Sequence, residues 1–215
     1  MTVPTRAAAP EPAPIPLRQI RAAYDADTIT VYQAYGPAIG LPAAADGRFG
    51  DAFKRDRMTW IKPSFRWMMY RCGWARKPGQ ERVLGIRITR EGFEWALARS
   101  AFAHFDSSLH ADRDTWRAGM HEPVRVQWDP ERDLHLRPLE HRSIQIGLGG
   151  EAVPRYCDAW IVGIDDVTEL AHRVHRALGE RGVDAAAELL PEERPYPVPA
   201  AIAARIGMLK ERARP

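Results

Sequence analysis

Between Arg48 and Lys77 the chain reads RFGDAFKRDRMTWIKPSFRWMMYRCGWARK, and side chains able to do chemistry concentrate there. The run carries nine cations (Arg48, Lys54, Arg55, Arg57, Lys62, Arg66, Arg71, Arg76 and Lys77) against two acids, Asp51 and Asp56. Trp60, Trp67 and Trp74 fall within it, with Phe49, Phe53, Phe65 and Tyr70. Guanidinium groups interleaved with flat rings suit a surface that stacks a base and neutralises phosphate. Three readings compete: a nucleotide cofactor site, a nucleic-acid groove, or a core strand and helix whose arginine stems lie along apolar surface.

Phosphate recognition gains from position as well as composition. Arg21, Arg57, Lys62, Arg71 and Arg142 fall at or near the ends of expected strands or on the helix after Pro63. Arginine placed there can grip a pyrophosphate bidentately, and Ser64 with the helix N-terminus behind it adds backbone donors. The competing reading makes the same arginines surface ion pairs or covers for tryptophan rings. Other chemistries have less behind them. The seven histidines are scattered, and His172 and His175 share a helix without a partner at metal-binding spacing, so no metal ligand is assigned. A Walker loop, a GxGxxG and a GxSxG elbow are absent; Gly147-Leu148-Gly149-Gly150 reads as a turn. Cys72 and Cys157 form no metal or disulfide framework, which fits a reducing cytoplasm, and each reads as a small buried hydrophobe.

The elements that must hold these residues can be read in order. Residues 1–16 are rich in Ala and Pro and form a solvated tail outside the core; one α+β domain spans 17–190, and 191–215 is a linker with a last helix ending on Lys210, Arg212 and Arg214. Thr28 to Ala34 is a strand, Ala38 to Ala45 a helical turn or two, Arg57 to Lys62 a strand. Phe65 to Cys72 is a helix capped by Ser64 and stopped by Gly73. A half-buried strand over Glu81 to Thr89 leads to an amphipathic helix from Glu91 to His104. Residues 105–122 are a loop. Val124 to Trp128 is a strand turned by Asp129-Pro130, Ser143 to Leu148 another, and Val167 to Arg181 a helix ended by Gly182. Strands and single helices without a βαβ rhythm indicate a mixed, mainly antiparallel sheet flanked by helices.

Composition sets the outer bounds. With 45% apolar and 27% charged residues the chain is an ordinary globular one, and no apolar run is long enough to span a membrane. A net charge of +3 is too small to indicate a nucleic-acid partner, so the local cluster must carry any such claim.

The phrases IRAAYDADTITVYQAY, FKRDRMTWIKPSFRWMMYRCGWA, VLGIRITREGFE, VRVQWDPERD and RSIQIGL resemble the domain-of-unknown-function family numbered 4291, over residues 18–181. More distantly, VYQAY (31–35), TWIKPSFRWMMY (59–70), RVLGIRI (82–88) and VQWDPE (126–131) resemble, in their order, strands of the ADP-ribosyltransferase fold. That resemblance places Gln33 where many members have His, and Trp60 near their aromatic. It gives no counterpart to the catalytic glutamate: Gln127 and Gln145 are the nearest polar residues, while Glu94 and Glu140 have no spacing argument. A glutamine neither acts as a base nor stabilises an oxocarbenium ion by charge. RNA 2'-phosphotransferases share the fold and use NAD in a basic site, which this chain resembles more. The resemblance implies Arg57, Arg71, Arg142 and Gln33 as catalytic residues and Arg21, Tyr32, Trp60, Lys62, Ser64, Trp67 and Gln145 as contacts to NAD. The expected activity is an NAD-using transfer to a phosphorylated or nucleic-acid acceptor. A non-catalytic domain binding single-stranded RNA or a nucleotide is the alternative, and an α+β domain with a protein partner the third reading.

Overall fold

The computed structural model describes residues 15–209, so the Ala/Pro-rich tail up to residue 14 and the basic end Lys210, Arg212 and Arg214 lie outside the described residues. The chain is α+β and mainly antiparallel, and its strands divide between two principal sheets. The first contains β2 (Thr28–Tyr35), β4 (Arg82–Thr89) and β8 (Ile161–Asp166) in the order β2-β4-β8, both pairs antiparallel. The second contains β3 (Thr59–Ile61), β5 (Ser100–Phe102), β6 (Val124–Arg132) and β7 (Pro138–Leu148) in the order β3-β7-β6-β5, with β5 alone running parallel to its neighbour. A two-residue strand β1 (Arg21–Ala22) pairs with β9 (Arg194–Pro195).

Alternation decides which residues meet between the sheets. Ile29 and Val31 of β2, Ile86 and Ile88 of β4 and Ile164 of β8 face Val124, Val126 and Trp128 of β6 and Ile144, Ile146 and Leu148 of β7, all buried. Helix α3 (Arg90–Ala98) adds Phe93 and Leu97 to this core. The opposite face of β2 and β4 is covered by α2 (Phe65–Cys72) and α6 (Thr168–Arg181), through Phe65, Met68, Met69 and Cys72 from one helix and Ala171, Val174 and Ala177 from the other. That second face is apolar where Tyr32 and Val83 meet the helices and polar beyond, where Arg87 and Asp165 pair in solvent.

The two sheets touch edge to edge at a single pair of residues. Tyr32 N donates to Lys62 O (2.7 Å) and Lys62 N to Tyr32 O (3.2 Å), so the chain leaving β3 crosses from β7 to the edge of β2. Pro63 has no N–H and ends the pairing. Ser64 then caps α2, accepting from Trp67 N (3.2 Å), and Gly73 in the left-handed conformation closes it.

Several elements differ from the sequence reading, each for a local reason. The helix expected to reach His104 stops at Ala98; Ser100 Oγ turns back onto Leu97 O (2.7 Å), and residues 100–102 extend along the free edge of β6. Residues 113–118 form α4 within the expected loop, capped by Asp112. Asp129-Pro130 does not turn the chain. Strand β6 runs through it with a register shift between Pro130 and Arg132, and the turn comes at Asp133–Arg137, with Leu136 at positive φ.

Residues 191–199, read as a linker, lie on the domain. Tyr196 N donates to Ile20 O (2.8 Å) and the Tyr196 ring is buried against Phe93 and Tyr24. Beyond it, α8 (Ala200–Arg205) packs against α3. Glu193 reaches the start of α2, where Oε1 accepts from Phe65 N at 2.6 Å. Burial raises the Glu193 carboxyl to a pKa of about 8, with Glu131 adding to the rise and Arg66 and Arg21 opposing it. Its contribution to stability is full below the ordinary carboxylate range and is lost as pH climbs through about 8. Glu193→Gln keeps the acceptor for Phe65 N–H and removes the titration. Melting temperatures at pH 5 and pH 9 should show the variant gaining on the native protein at the higher pH, by on the order of 5 °C; a constant gap would place the titration elsewhere.

Candidate functional site

One cleft of about 290 Å³ opens beside the Tyr32–Lys62 junction. Its walls are Gln33, Ala34 and Tyr35 at the end of β2, Thr59, Trp60 and Lys62 on and after β3, and Met68 and Arg71 on α2. Lys54 and Arg57 from the approach to β3 complete it, with Gln80 from the loop before β4. Four cations line this space and no carboxylate does. Among the described residues none of the four is ion-paired; Arg71 meets only the Gln80 amide, while nearby Arg55 is held away by Asp158.

Lys62 is the unusual member. It is 6% exposed, its Nζ donates to Trp60 O (3.1 Å) and sits 5.5 Å from the centre of the Trp67 ring. Loss of water, and then the Arg71 charge, lower its pKa to about 7; Asp129 and Cys72 oppose the fall. Gln33, 3% exposed, is fully occupied at the cleft floor. Its Nε2 donates to Thr59 Oγ1 (2.7 Å) and Trp60 O (3.2 Å), and its Oε1 accepts from the Tyr156 hydroxyl (2.8 Å). Tyr35 closes this network on Thr59 (3.1 Å).

Trp60 is half-buried and lies over Gly147, its cross-strand partner on β7. A Cβ on Gly147 would stand 2.6 Å from Met58 Sδ and 2.9 Å from Trp60 Cε2, so the missing side chain makes room for the indole. Farther along the same face, Gln145 of β7 sits opposite Gln127 of β6. Both amides donate to the Asp129 carboxylate, Gln145 to Oδ2 and Gln127 to Oδ1, each at 2.8 Å. A carboxylate oriented by two amides next to the Lys62 region is the one functional candidate that sequence reasoning missed. Its signal was the pair of glutamines at alternate positions of adjacent strands, and reading Asp129-Pro130 as a turn concealed it.

The structure thus gathers Gln33, Arg57, Trp60, Lys62 and Arg71 in one cleft. Tyr32, Ser64 and Trp67 stand behind it: Tyr32 packs edge-on to Phe65 (5.5 Å), Ser64 caps α2, and Trp67 is 5% exposed beneath Lys62. With Trp67 and Trp74 both in the core, Trp60 is the tryptophan of the basic stretch left to meet a ring. The start of α2, expected to offer donors to phosphate, already holds Ser64 Oγ and the Glu193 carboxyl. Two arginines lie elsewhere. Arg21 donates to Glu193 O (3.0 Å) and lines a cavity of about 150 Å³ with Arg66 and Glu193. Arg142 donates to Trp128 O (3.0 Å) and faces a cavity of about 380 Å³ with Arg18, His104 and Asp106.

No group of three His, Cys, Asp or Glu side chains among the described residues could hold a metal ion. Both cysteines are buried, and burial pushes the Cys157 thiol up to about 11 and raises Cys72. No helix of the described residues is long and apolar enough to cross a membrane.

Fold and cleft together define an α+β domain with an uncompensated cationic pocket at the junction of two sheets. The chain belongs to the family described as a domain of unknown function (DUF4291), which matches residues 19–196. That match includes the whole cleft and the Glu193 contact. No curated protein and no solved structure matches the chain.

The Lys62 contribution to stability is complete above the ordinary lysine range and is lost as pH falls through about 7. Lys62→Met should therefore melt above the native protein at pH 6, with the difference shrinking as pH approaches 10. An advantage of equal size at both pH values would mean that Lys62 titrates normally.

Proposed function

We propose that the cleft binds a nucleotide and that the protein is an NAD-using transferase of the ADP-ribosyltransferase type, acting on a phosphorylated or nucleic-acid acceptor. One observation carries the reading: Lys54, Arg57, Lys62 and Arg71 converge without an ion pair and without a carboxylate in the lining. Positive charge gathered without compensation is costly to the folded chain and is relieved by an anionic ligand. Trp60 beside it offers the face of an indole to a flat ring.

The roles follow from chemistry. Arg57 and Arg71, exposed at the rim, hold pyrophosphate oxygens through charge-assisted hydrogen bonds. Trp60 stacks the nicotinamide or adenine ring. Lys62, partly neutral near pH 7, accepts the proton of the incoming acceptor. Gln33 serves by fixing Thr59 and the Trp60 carbonyl, since its own amide is committed. Asp129, held by Gln127 and Gln145, is a fixed negative charge that would favour positive charge developing at a ribosyl carbon. What supports the likeness to the ADP-ribosyltransferase fold is the chain order of the segments at 31–35, 59–61, 82–88 and 126–131, all of them strands.

Single-stranded RNA is the less favoured ligand, because a path of stacked bases needs several exposed rings and Trp67 and Trp74 are internal. Calorimetric titration with NAD separates the readings. Arg57→Ala and Arg71→Ala should each weaken NAD binding by about ten- to a hundredfold, the loss of a charge-assisted hydrogen bond worth about 1.5–3 kcal/mol. Unchanged affinity in both variants removes the cleft as the NAD site. Binding of an RNA oligonucleotide alone, abolished by salt, transfers the proposal to a nucleic-acid module.

A further inference from the structure

The whole chain has four lysines, Lys54, Lys62, Lys77 and Lys210, among its 31 Lys and Arg residues. Its positive charge is otherwise carried by arginine, including at the rim of the cleft. Of the lysines among the described residues, Lys54 and Lys77 are exposed and Lys62 is buried. Burying a cation normally favours arginine, which disperses its charge over a planar group and stays protonated. Lysine is the cation that can lose its proton and become a nucleophile. At this position the chain uses the reactive one.

The surroundings fit that use. Lys62 Nζ has one hydrogen-bond acceptor, the Trp60 carbonyl, and no ion pair, so one partner is all that a carbonyl compound would compete with. Arg71 and the enclosing walls favour the neutral amine. Arg57, Arg71 and Lys54 around it would hold a phosphate, and Trp60 borders the same space. A volume of about 290 Å³ takes one phosphate and one ring, a small ligand whole or one end of a dinucleotide.

We infer that Lys62 is a covalent amine site, forming an imine with a phosphorylated aldehyde held in the cleft by Arg57 and Arg71. The Nζ lone pair forms a bond to the carbonyl carbon, and the C=O π pair moves to oxygen, which takes a proton from nitrogen. The resulting carbinolamine loses its hydroxyl as water, taking up one further proton from solvent, and the nitrogen lone pair closes the C=N bond as a protonated imine. Starting from the ammonium form, the net change is ammonium plus aldehyde to iminium plus water, with no oxidant or reductant required. This chemistry shares the cleft with the nucleotide reading and needs no NAD.

Pyridoxal 5'-phosphate is a suitable probe, since it joins an aldehyde, a flat ring and a phosphate. The full-length protein is mixed with it without NAD, reduced with borohydride, digested and mapped by mass spectrometry. The expected result is one dominant reduced adduct on the peptide carrying Lys62, unchanged in Lys77→Arg and at least tenfold weaker when inorganic phosphate is in excess. Lys62→Met, checked for folding by its melting temperature, should lose the adduct. Arg71→Ala, which keeps the amine, should need a higher probe concentration for the same labelling. Labelling spread over Lys54, Lys77 and the N-terminus, labelling that persists in folded Lys62→Met, or labelling indifferent to phosphate would each overturn the inference. Labelling of Lys62 in a protein that fails to bind NAD would leave this site standing and remove the transferase reading; the converse result would do the opposite.

Discussion

Two backbone hydrogen bonds between Tyr32 and Lys62 hold the architecture and the site together. Each principal sheet has an edge strand there, and an unpaired edge is a liability in any sheet protein. The chain joins the two edges at one residue pair, after which Pro63 forbids any extension. A consequence falls on the Lys62 side chain. Its backbone is fixed by β2 and its Nζ lies against the Trp67 ring of α2, in a place where it is nearly dry. The unusual chemistry of Lys62 is thus set by strand pairing, and its low pKa is the electrostatic result of a topological requirement.

The same junction explains why anion recognition falls to side chains. A helix that starts just after a strand edge presents free N–H groups, and α2 begins within three residues of Lys62. Those donors would ordinarily suit a phosphate. Here the chain satisfies them itself, with Ser64 Oγ on Trp67 N and the Glu193 carboxyl on Phe65 N. The consequence is a division of labour. The N-terminal end of α2 anchors the C-terminal segment, and its C-terminal end contributes Arg71 to the cleft. Glu193 gains a helix N-terminus and flanking arginines, yet burial outweighs them and its pKa rises.

Local structure was legible in the sequence wherever the deciding interactions were local. β-branched residues from Thr28 and the cap–helix–glycine grammar from Ser64 to Gly73 each specify an element within a few residues, and the structure follows them. What could not be read depends on distant partners. Residues 100–102 become a strand only because β6 offers an edge, and Asp129-Pro130 stays extended because β7 pairs on both sides of it. Glu193 is a polar residue in a Pro-rich segment until α2 is placed beside it. For the cleft, clustering in sequence carries Arg57, Trp60, Lys62 and Arg71 into one space, because a short strand and the helix after it keep them close. Arg21 and Arg142 were grouped with them by charge and by position near strand ends, and neither carries information about which cavity a side chain faces.

Asp129 and Lys62 bring two opposite strategies onto one sheet face. The carboxylate is held by two amide donors, neutral partners that orient it without an opposite charge. The amine has one carbonyl acceptor and a neighbouring arginine, which together leave its charged form poorly supported. A chain selected only for stability would place a neutral residue at position 62, since a buried ammonium without a counter-ion costs stability below its pKa. Packing does not require the amine either, because methionine has comparable length and flexibility. The cationic rim adds to that cost, since Arg71 repels Lys62 more strongly than Asp129 attracts it and no carboxylate lines the cleft. Each of these penalties is reduced by the same event, the arrival of an anion that can react with or hydrogen-bond to a neutral amine. The physical cost of the empty cleft therefore points to the charge and chemistry of what fills it.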